Sequence, residues 1–163
     1  MIGFSEGAAL AASLLLCHAH SHLTGSEQPR DAPFQVAVFF NSVVMLSPSE
    51  KIGSNIGQSV QKKRGSYIEF QQALNRDPDL PLPDIFGFPL SFPTRIGIPT
   101  LHVIGEHDAF AEYSRALVTL CRQEVAEVFV FDGGHELPHP ETALDRCAEL
   151  FETVMTLASL RGP

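Results

Sequence analysis

Basic residues are scarce in this sequence of 163 residues, where 11 Lys and Arg stand against 19 Asp and Glu and the net charge is −8. An acidic chain is repelled by phosphate backbones, so nucleic acid is not expected as a partner. Apolar residues make up 44% and charged residues 18%, which is typical of a globular protein. The length suits a single domain over residues 1–163.

Cysteine and long apolar runs are also scarce. Cys17, Cys121 and Cys147 are odd in number and show neither disulfide nor metal-ligand spacing, so a reducing compartment is expected, the cytoplasm or else the nucleus. No run approaches the ~18 apolar residues that span a membrane, so no membrane contact is expected. Residues 8–17 are apolar, but no Lys or Arg precedes them, which argues against a signal peptide.

Apolar runs alternate with helical patterns along the chain. Runs at residues 36–40 and 99–105 predict buried strands, and the apolar run at residues 125–131 predicts a third strand. Helices are predicted over residues 7–22, 112–122 and 141–160. The last helix carries an apolar stripe: Leu144, Cys147, Ala148, Phe151, Val154, Met155 and Ala158. Such alternation implies an α/β fold, a mainly parallel sheet with flanking helices.

Residues 43–95 form a poorly patterned insertion. Repeated prolines exclude regular structure from most of it, although residues 67–75 could form one short helix. Phe86, Phe88 and Phe92 lie among the prolines. Long connections of this kind are functional or loosely packed, so either a lid or acyl-pocket wall, or a plain loop, fits the pattern.

Residues 3–7 carry the motif on which the functional prediction depends. They read Gly-Phe-Ser-Glu-Gly, or G-x-S-x-G, the nucleophile elbow in which a serine lies on a sharp turn between a strand and a helix. Gly3 and Gly7 would let the strand and the helix approach closely. A run of good helix formers follows, which favours this interpretation for Ser5.

An acid and a base follow in the order that a serine nucleophile requires. Asp108 comes directly after one predicted strand and His135 after the last one. Loops at the carboxyl ends of parallel strands are where such sheets place their sites. Because a serine hydroxyl needs a base and the base needs a carboxylate, we expect Ser5, His135 and Asp108 to converge.

These stretches, together with residues 98–108 and 133–138, resemble the fungal serine hydrolase (FSH) family of the α/β-hydrolases, which includes thioesterases that release polyketides. The resemblance covers roughly residues 1–42 and 96–158. It implies cleavage of a small-molecule ester or thioester in secondary metabolism, without metal or organic cofactor. It also implies that Ser5 is the nucleophile, His135 the general base, Asp108 its orienting acid, and the Glu6 N–H half of the oxyanion hole.

The sequence departs from that family at its start. By comparison with that family, we expect several strands that precede the elbow to be absent and the strand leading to the serine to be reduced to Met1 and Ile2. Nothing is then expected to strain the turn at Ser5. A second oxyanion donor would also be missing. The alternative interpretation is therefore a catalytically inactive module that acts through protein contact, self-associating through an exposed sheet edge.

The other histidines suggest further alternatives. Residues 135–139 read H-E-L-P-H, the zinc-protease pattern, but the neighbouring glycines and prolines disfavour the helix that it needs, so no metal is expected. His18, His20 and His22 fit a role at the C-terminal end of the first helix better than adventitious metal binding. His102 is predicted to be a buried core residue with a hydrogen-bond partner, and His107 could compete with His135 as the base.

Overall fold

In the described part of the chain, the strands form a four-stranded parallel sheet. Its strands are β1 (Ile2–Phe4), β2 (Ala37–Phe40), β3 (Thr100–Gly105) and β4 (Ala126–Phe131), which lie side by side in chain order. In the register, Gly3 lies opposite Phe39 and Phe39 opposite His102. All four carboxyl ends therefore lie at the same edge of the sheet, and the predicted parallel α/β architecture is confirmed.

The computed structural model describes residues 1–24, 33–43 and 95–161. The expectations for the insertion, namely the short helix at residues 67–75 and the wall formed by Phe86, Phe88 and Phe92, lie outside the described residues. The side chains of His20 and His22 also lie outside them.

Within residues 1–24, 33–43 and 95–161, three α-helices flank the sheet: α1 (Glu6–Thr24), α2 (Ala111–Thr119) and α3 (Glu141–Leu160). Their bounds agree with the predicted ones to within about two residues, except that α2 ends earlier. It ends there because the chain turns at Leu120 and Cys121 then pairs with Ile96 beside the sheet. No helix in the described ranges is both long and apolar enough to cross a membrane.

Small side chains let α1 lie close to the sheet. Its buried face consists mainly of alanines, with Leu15 and Leu16 one turn further on, and it packs against Phe39 and Leu117 in one core cluster. On the other side of the sheet, Val154 of α3 packs against β2 and β3. The central strands β2 and β3 are thus covered on both faces, as expected of parallel strands, whereas Val128 and Val130 of β4 are exposed.

Buried titratable groups lie within this core. His102 of β3 is 1% exposed, and its Nε2 lies 3.1 Å from Thr100 Oγ1, which confirms the predicted core histidine. Burial without a compensating charge lowers the pKa of His102 to about 3. Burial likewise raises the pKa of the Cys121 thiol to about 12.

The apolar stripe predicted for α3 is only partly correct. Val154 is fully buried, as expected, but Leu150, which lies outside the stripe, is the other buried residue of the helix. Leu144, Phe151 and Met155 are exposed instead. The helix is rotated relative to the prediction, because its contact with Val103 and Phe131 runs through Leu150 and Val154.

Candidate active site

Ser5 lies on a tight turn between β1 and α1. Its φ is +54°, in the left-handed region that costs a residue with a side chain about 1–2 kcal/mol. Its N–H donates to Phe40 O at 2.9 Å, and its own carbonyl accepts from Ala8 N–H at 3.1 Å. The expectation of an unstrained turn is therefore wrong, since pairing with β2 on one side and α1 on the other fixes the serine backbone.

The two glycines of the motif differ in what they do. A Cβ on Gly3 would lie 2.6 Å from both Ala8 N and Gly7 O, so β1 and α1 approach too closely for any side chain there. A Cβ on Gly7 would meet nothing within 4 Å. The requirement for a small residue, expected at both positions, holds for Gly3 alone.

Asp108 is held at the carboxyl end of β3. Its side chain is fully buried, and both carboxylate oxygens have partners. Oδ1 accepts from Phe110 N–H at 2.8 Å, and Oδ2 lies 2.9 Å from His135 Nδ1. The Phe110 bond fixes the plane of the carboxylate and aims its second oxygen at the imidazole.

The imidazole of His135 lies between the hydroxyl and the carboxylate. Its Nε2 is 2.8 Å from Ser5 Oγ, while its Nδ1 faces Asp108. These side chains are separated by 130 and 27 residues in the chain, and the parallel sheet brings their loops together. The expected convergence of Ser5, His135 and Asp108 is what the structure shows.

The competing histidine arrangements are not formed. His107 Nε2 lies 3.0 Å from Asp132 Oδ1 at the surface and has no contact with Ser5 among the described bonds. Residues 132–140 are irregular, so His135 and His139 do not share a helix face. Within the part of the chain that is described, no group of three or more His, Cys, Asp and Glu side chains is gathered as a metal ion requires.

Asn41 is a site residue that the sequence analysis missed. It follows β2, is fully buried and has a φ of +44°. Its Nδ2 donates to Glu136 O at 2.5 Å and lies 3.4 Å from Gly134 O, the carbonyls on either side of His135. Its Oδ1 accepts from Gly105 N–H at 2.7 Å. The signal was available, because a polar residue directly after a buried parallel strand lies at the site edge of the sheet.

Two aromatic rings contact the imidazole. The ring centroids of Phe4 and His135 are 5.2 Å apart, and those of Phe110 and His135 are 5.4 Å apart in an edge-on arrangement. Both phenyl rings are about two-fifths exposed. They therefore restrict the orientation of the imidazole and at the same time leave apolar surface open beside Ser5.

This arrangement has the connectivity needed for nucleophilic catalysis. With the proton of the neutral imidazole on Nδ1 and directed at Asp108, Nε2 is free to accept the Ser5 proton. Glu6 is the first residue of α1, so its N–H belongs to the group without an acceptor within the helix. That N–H lies next to the serine, where an oxyanion would form.

The parallel sheet and its flanking helices have the α/β-hydrolase fold. Solved structures of the same fold include one from a study of two fungal esterases of Rhizomucor miehei, with a TM-score of 0.51 and 14% identity over 99% of this chain and 52% of that one. A monoacylglycerol lipase of Paleococcus ferrophilus matches with a TM-score of 0.51 and 16% identity, over 95% of this chain and 67% of that one.

Within that fold, the chain belongs to the serine hydrolase (FSH1) family, whose sequence profile matches residues 1–146. It is 28% identical to Hydrolase FUB4 of Fusarium oxysporum f. sp. lycopersici over 95% of this chain. It is 29% identical to Esterase FPY3 of Fusarium mangiferae over 97% of this chain. The chain spans 66% of the first relative's length and 57% of the second's. The resemblance to the FSH family found in the sequence is thus confirmed.

Proposed function

We propose that this chain is a serine hydrolase of the carboxylesterase or thioesterase type, which cleaves a small-molecule ester or thioester through an acyl-Ser5 intermediate. The observation that carries the proposal is the placement of one imidazole, with Nε2 2.8 Å from Ser5 Oγ and Nδ1 2.9 Å from the Asp108 carboxylate. The names of the two Fusarium relatives, a hydrolase and an esterase, support the same class of reaction.

The proposed reaction has two halves. Ser5 Oγ attacks the substrate carbonyl while its proton moves to His135 Nε2, and the Asp108 carboxylate stabilises the imidazolium that forms. The Glu6 N–H donates to the oxyanion of the tetrahedral intermediate. Collapse of this intermediate expels the alcohol or thiol, which takes the proton from His135 and leaves the acyl group on Ser5. Water then attacks the acyl carbon while His135 Nε2 takes its proton. The bond to Ser5 Oγ breaks, the acid leaves, and Ser5 Oγ takes the proton back from His135.

We also propose a metabolic role and a cellular compartment for this activity. A role in secondary metabolism is supported by the resemblance to fungal thioesterases that release polyketides. The cytoplasm or the nucleus is supported by the cysteines, since Cys17, Cys121 and Cys147 are all free thiols. The mechanism uses only side chains and backbone of this chain, so it requires no metal or organic cofactor.

Hydrolysis of a p-nitrophenyl ester by the purified chain tests the proposed function. We expect activity in the parent chain and in Ser159→Ala, a control because Ser159 is an exposed serine near the end of α3. We expect Ser5→Ala to abolish the activity and Asp108→Asn to lower kcat on the order of 10⁴-fold. Equal activity in Ser5→Ala and the parent would exclude Ser5 as the nucleophile.

A second candidate function is a contact-forming module, and the outer edge of β1 favours it. Met1 O accepts from Val38 N–H and Ser5 N–H donates to Phe40 O, so the alternation of the ladder directs the backbone groups of Ile2 and Phe4 away from β2. In the described sheet nothing pairs with that edge, and the Ile2 side chain is 68% exposed. We propose self-association through this edge.

Sedimentation of the purified chain tests that second candidate. If two chains pair through β1, the parent forms a dimer or a larger species, and Ile2→Lys shifts it toward the monomer. Leu160→Lys is the matched control, because Leu160 is 78% exposed at the far end of α3. A monomeric parent chain with esterase activity would contradict this candidate and favour the first.

A further inference from the structure

The rim of the site carries charge of one sign. The described loops at the carboxyl ends of the strands, residues 5–6, 41–43, 106–110 and 132–140, contain acidic side chains and no Lys or Arg. Three of the exposed carboxylates adjoin the site residues in the chain. Glu6 follows Ser5, Glu136 follows His135, and Glu106 lies two residues before Asp108.

Arg95 and Arg161 lie at the opposite end of the sheet, whereas Arg115 and Arg146 lie within α2 and α3. Arg161 donates to Gly97 O and Arg95 to Thr119 O, and both acceptors lie near the amino end of β3. That strand has six residues, so about 20 Å separates these guanidinium groups from the rim. The rim loops themselves carry acidic side chains and no Lys or Arg, so we expect the rim to repel anions.

Apolar surface lies inside this acidic rim. The rings of Phe4 and Phe110 contact the imidazole from two directions, and each keeps about two-fifths of its surface exposed. A phenyl ring gains free energy when an apolar group covers it. An acyl chain attached to Ser5 lies next to His135 and can cover both rings.

We propose, on the basis of the proposed hydrolase function, that this site selects uncharged esters and thioesters with an apolar acyl chain and discriminates against polyanionic thioesters. Phe4 and Phe110 form the acyl subsite, and the carboxylates of Glu6, Glu106 and Glu136 provide the discrimination. The charge of the leaving group then determines which substrates are cleaved, whereas it matters less whether the substrate is an ester or a thioester.

A series of p-nitrophenyl esters tests the acyl subsite. From acetate to butyrate to octanoate, we expect kcat/KM to rise by up to about fourfold per methylene until the rings are covered. Phe110→Ala keeps the backbone bond to Asp108 and should flatten this rise, with a larger loss for octanoate than for acetate. A residue that only positions His135 would lower both equally. Phe151→Ala, a similarly exposed phenylalanine on α3, is the control and should keep the rise.

A pair of octanoyl thioesters tests the charge selection. Octanoyl-N-acetylcysteamine is uncharged, whereas octanoyl-coenzyme A carries phosphates on an otherwise related thiol. We expect kcat/KM to favour the uncharged thioester on the order of tenfold at low salt, and added salt to narrow the difference. Glu106→Lys should also reduce the difference in kcat/KM between the two thioesters. Glu152→Lys is the control, because it makes the same change in net charge about three turns into α3, and it should leave the difference unchanged.

The outcomes separate this inference from the proposed function. Equal efficiency on both thioesters, or a chain-length rise that Phe110→Ala leaves intact, would overturn the selection while the hydrolase assignment stands. A chain that cleaves none of the esters or thioesters would overturn the proposed function and this inference with it.

Discussion

Replacement of Asn41 by alanine is the sharpest test of how the site is held together. Asn41 is fully buried and joins the end of β3 to the loop that carries His135. Alanine removes the acceptor for Gly105 N–H and the donor to Glu136 O. It also has to adopt a φ of +44°, which the parent asparagine tolerates better.

The expected loss of stability follows from these terms. A buried polar group left without its partner costs about 1–3 kcal/mol, and two such groups are affected. The left-handed backbone adds about 1–2 kcal/mol for alanine. The free energy of unfolding should therefore fall by about 4–5 kcal/mol in Asn41→Ala. In Asn41→Gly it should fall by about 3 kcal/mol, since glycine adopts a positive φ without strain.

Urea unfolding measures the free energy of unfolding of the parent chain and of both variants. The sequence has no tryptophan, so far-UV circular dichroism is the suitable signal. We expect the urea concentration at the midpoint of unfolding to be highest for the parent, lower for Asn41→Gly and lowest for Asn41→Ala. The dependence of the unfolding free energy on urea concentration should be similar in all three. A loss below about 1 kcal/mol in Asn41→Ala would show that the three side-chain bonds do not stabilise the chain. If Asn41→Ala is as stable as Asn41→Gly, the positive φ at residue 41 does not cost alanine the expected free energy.

Three further predictions concern buried groups. Because the pKa of His102 is lowered to about 3, the unfolded state binds the proton first as pH falls from 6.5, so stability should drop by on the order of 3 kcal/mol by pH 4.5. In His102→Gln, the free energy of unfolding, measured with urea at each pH, should lose most of this dependence on pH. Iodoacetamide should alkylate exposed Cys17 well before Cys121, whose thiol pKa is about 12, as peptide masses will show; equal rates would contradict the burial. Gly105→Ala should lower the melting temperature by several degrees, because a Cβ there overlaps the backbone oxygens of residues 133–134, and an unchanged value would count against this packing.

Local signals in the sequence were sufficient for the strands and for the order of the site residues. Each strand after the first is an apolar run, and the parallel arrangement follows from the helices between them. Ser5, Asp108 and His135 could be placed because the chemistry requires these residue types at the ends of strands. The distances between them could not be derived, because these depend on the register of all four strands.

Features that depend on tertiary contacts could not be predicted. The stripe on α3 failed because periodicity gives an apolar face but not the rotation that selects Leu150 over Phe151. The strain at Ser5 was missed because it depends on a bond to Phe40, in another strand. The role of Asn41 depends on residues more than 60 positions away.

Labelling with a fluorophosphonate tests the central claim, an activated Ser5, most directly. If Ser5 is activated, each chain should carry one adduct, located on the peptide that contains Ser5 and absent in Ser5→Ala. His135→Gln should label far more slowly, since the hydroxyl then lacks its base. No adduct on a chain that circular dichroism shows to be folded, or an adduct on a different serine, would contradict the account.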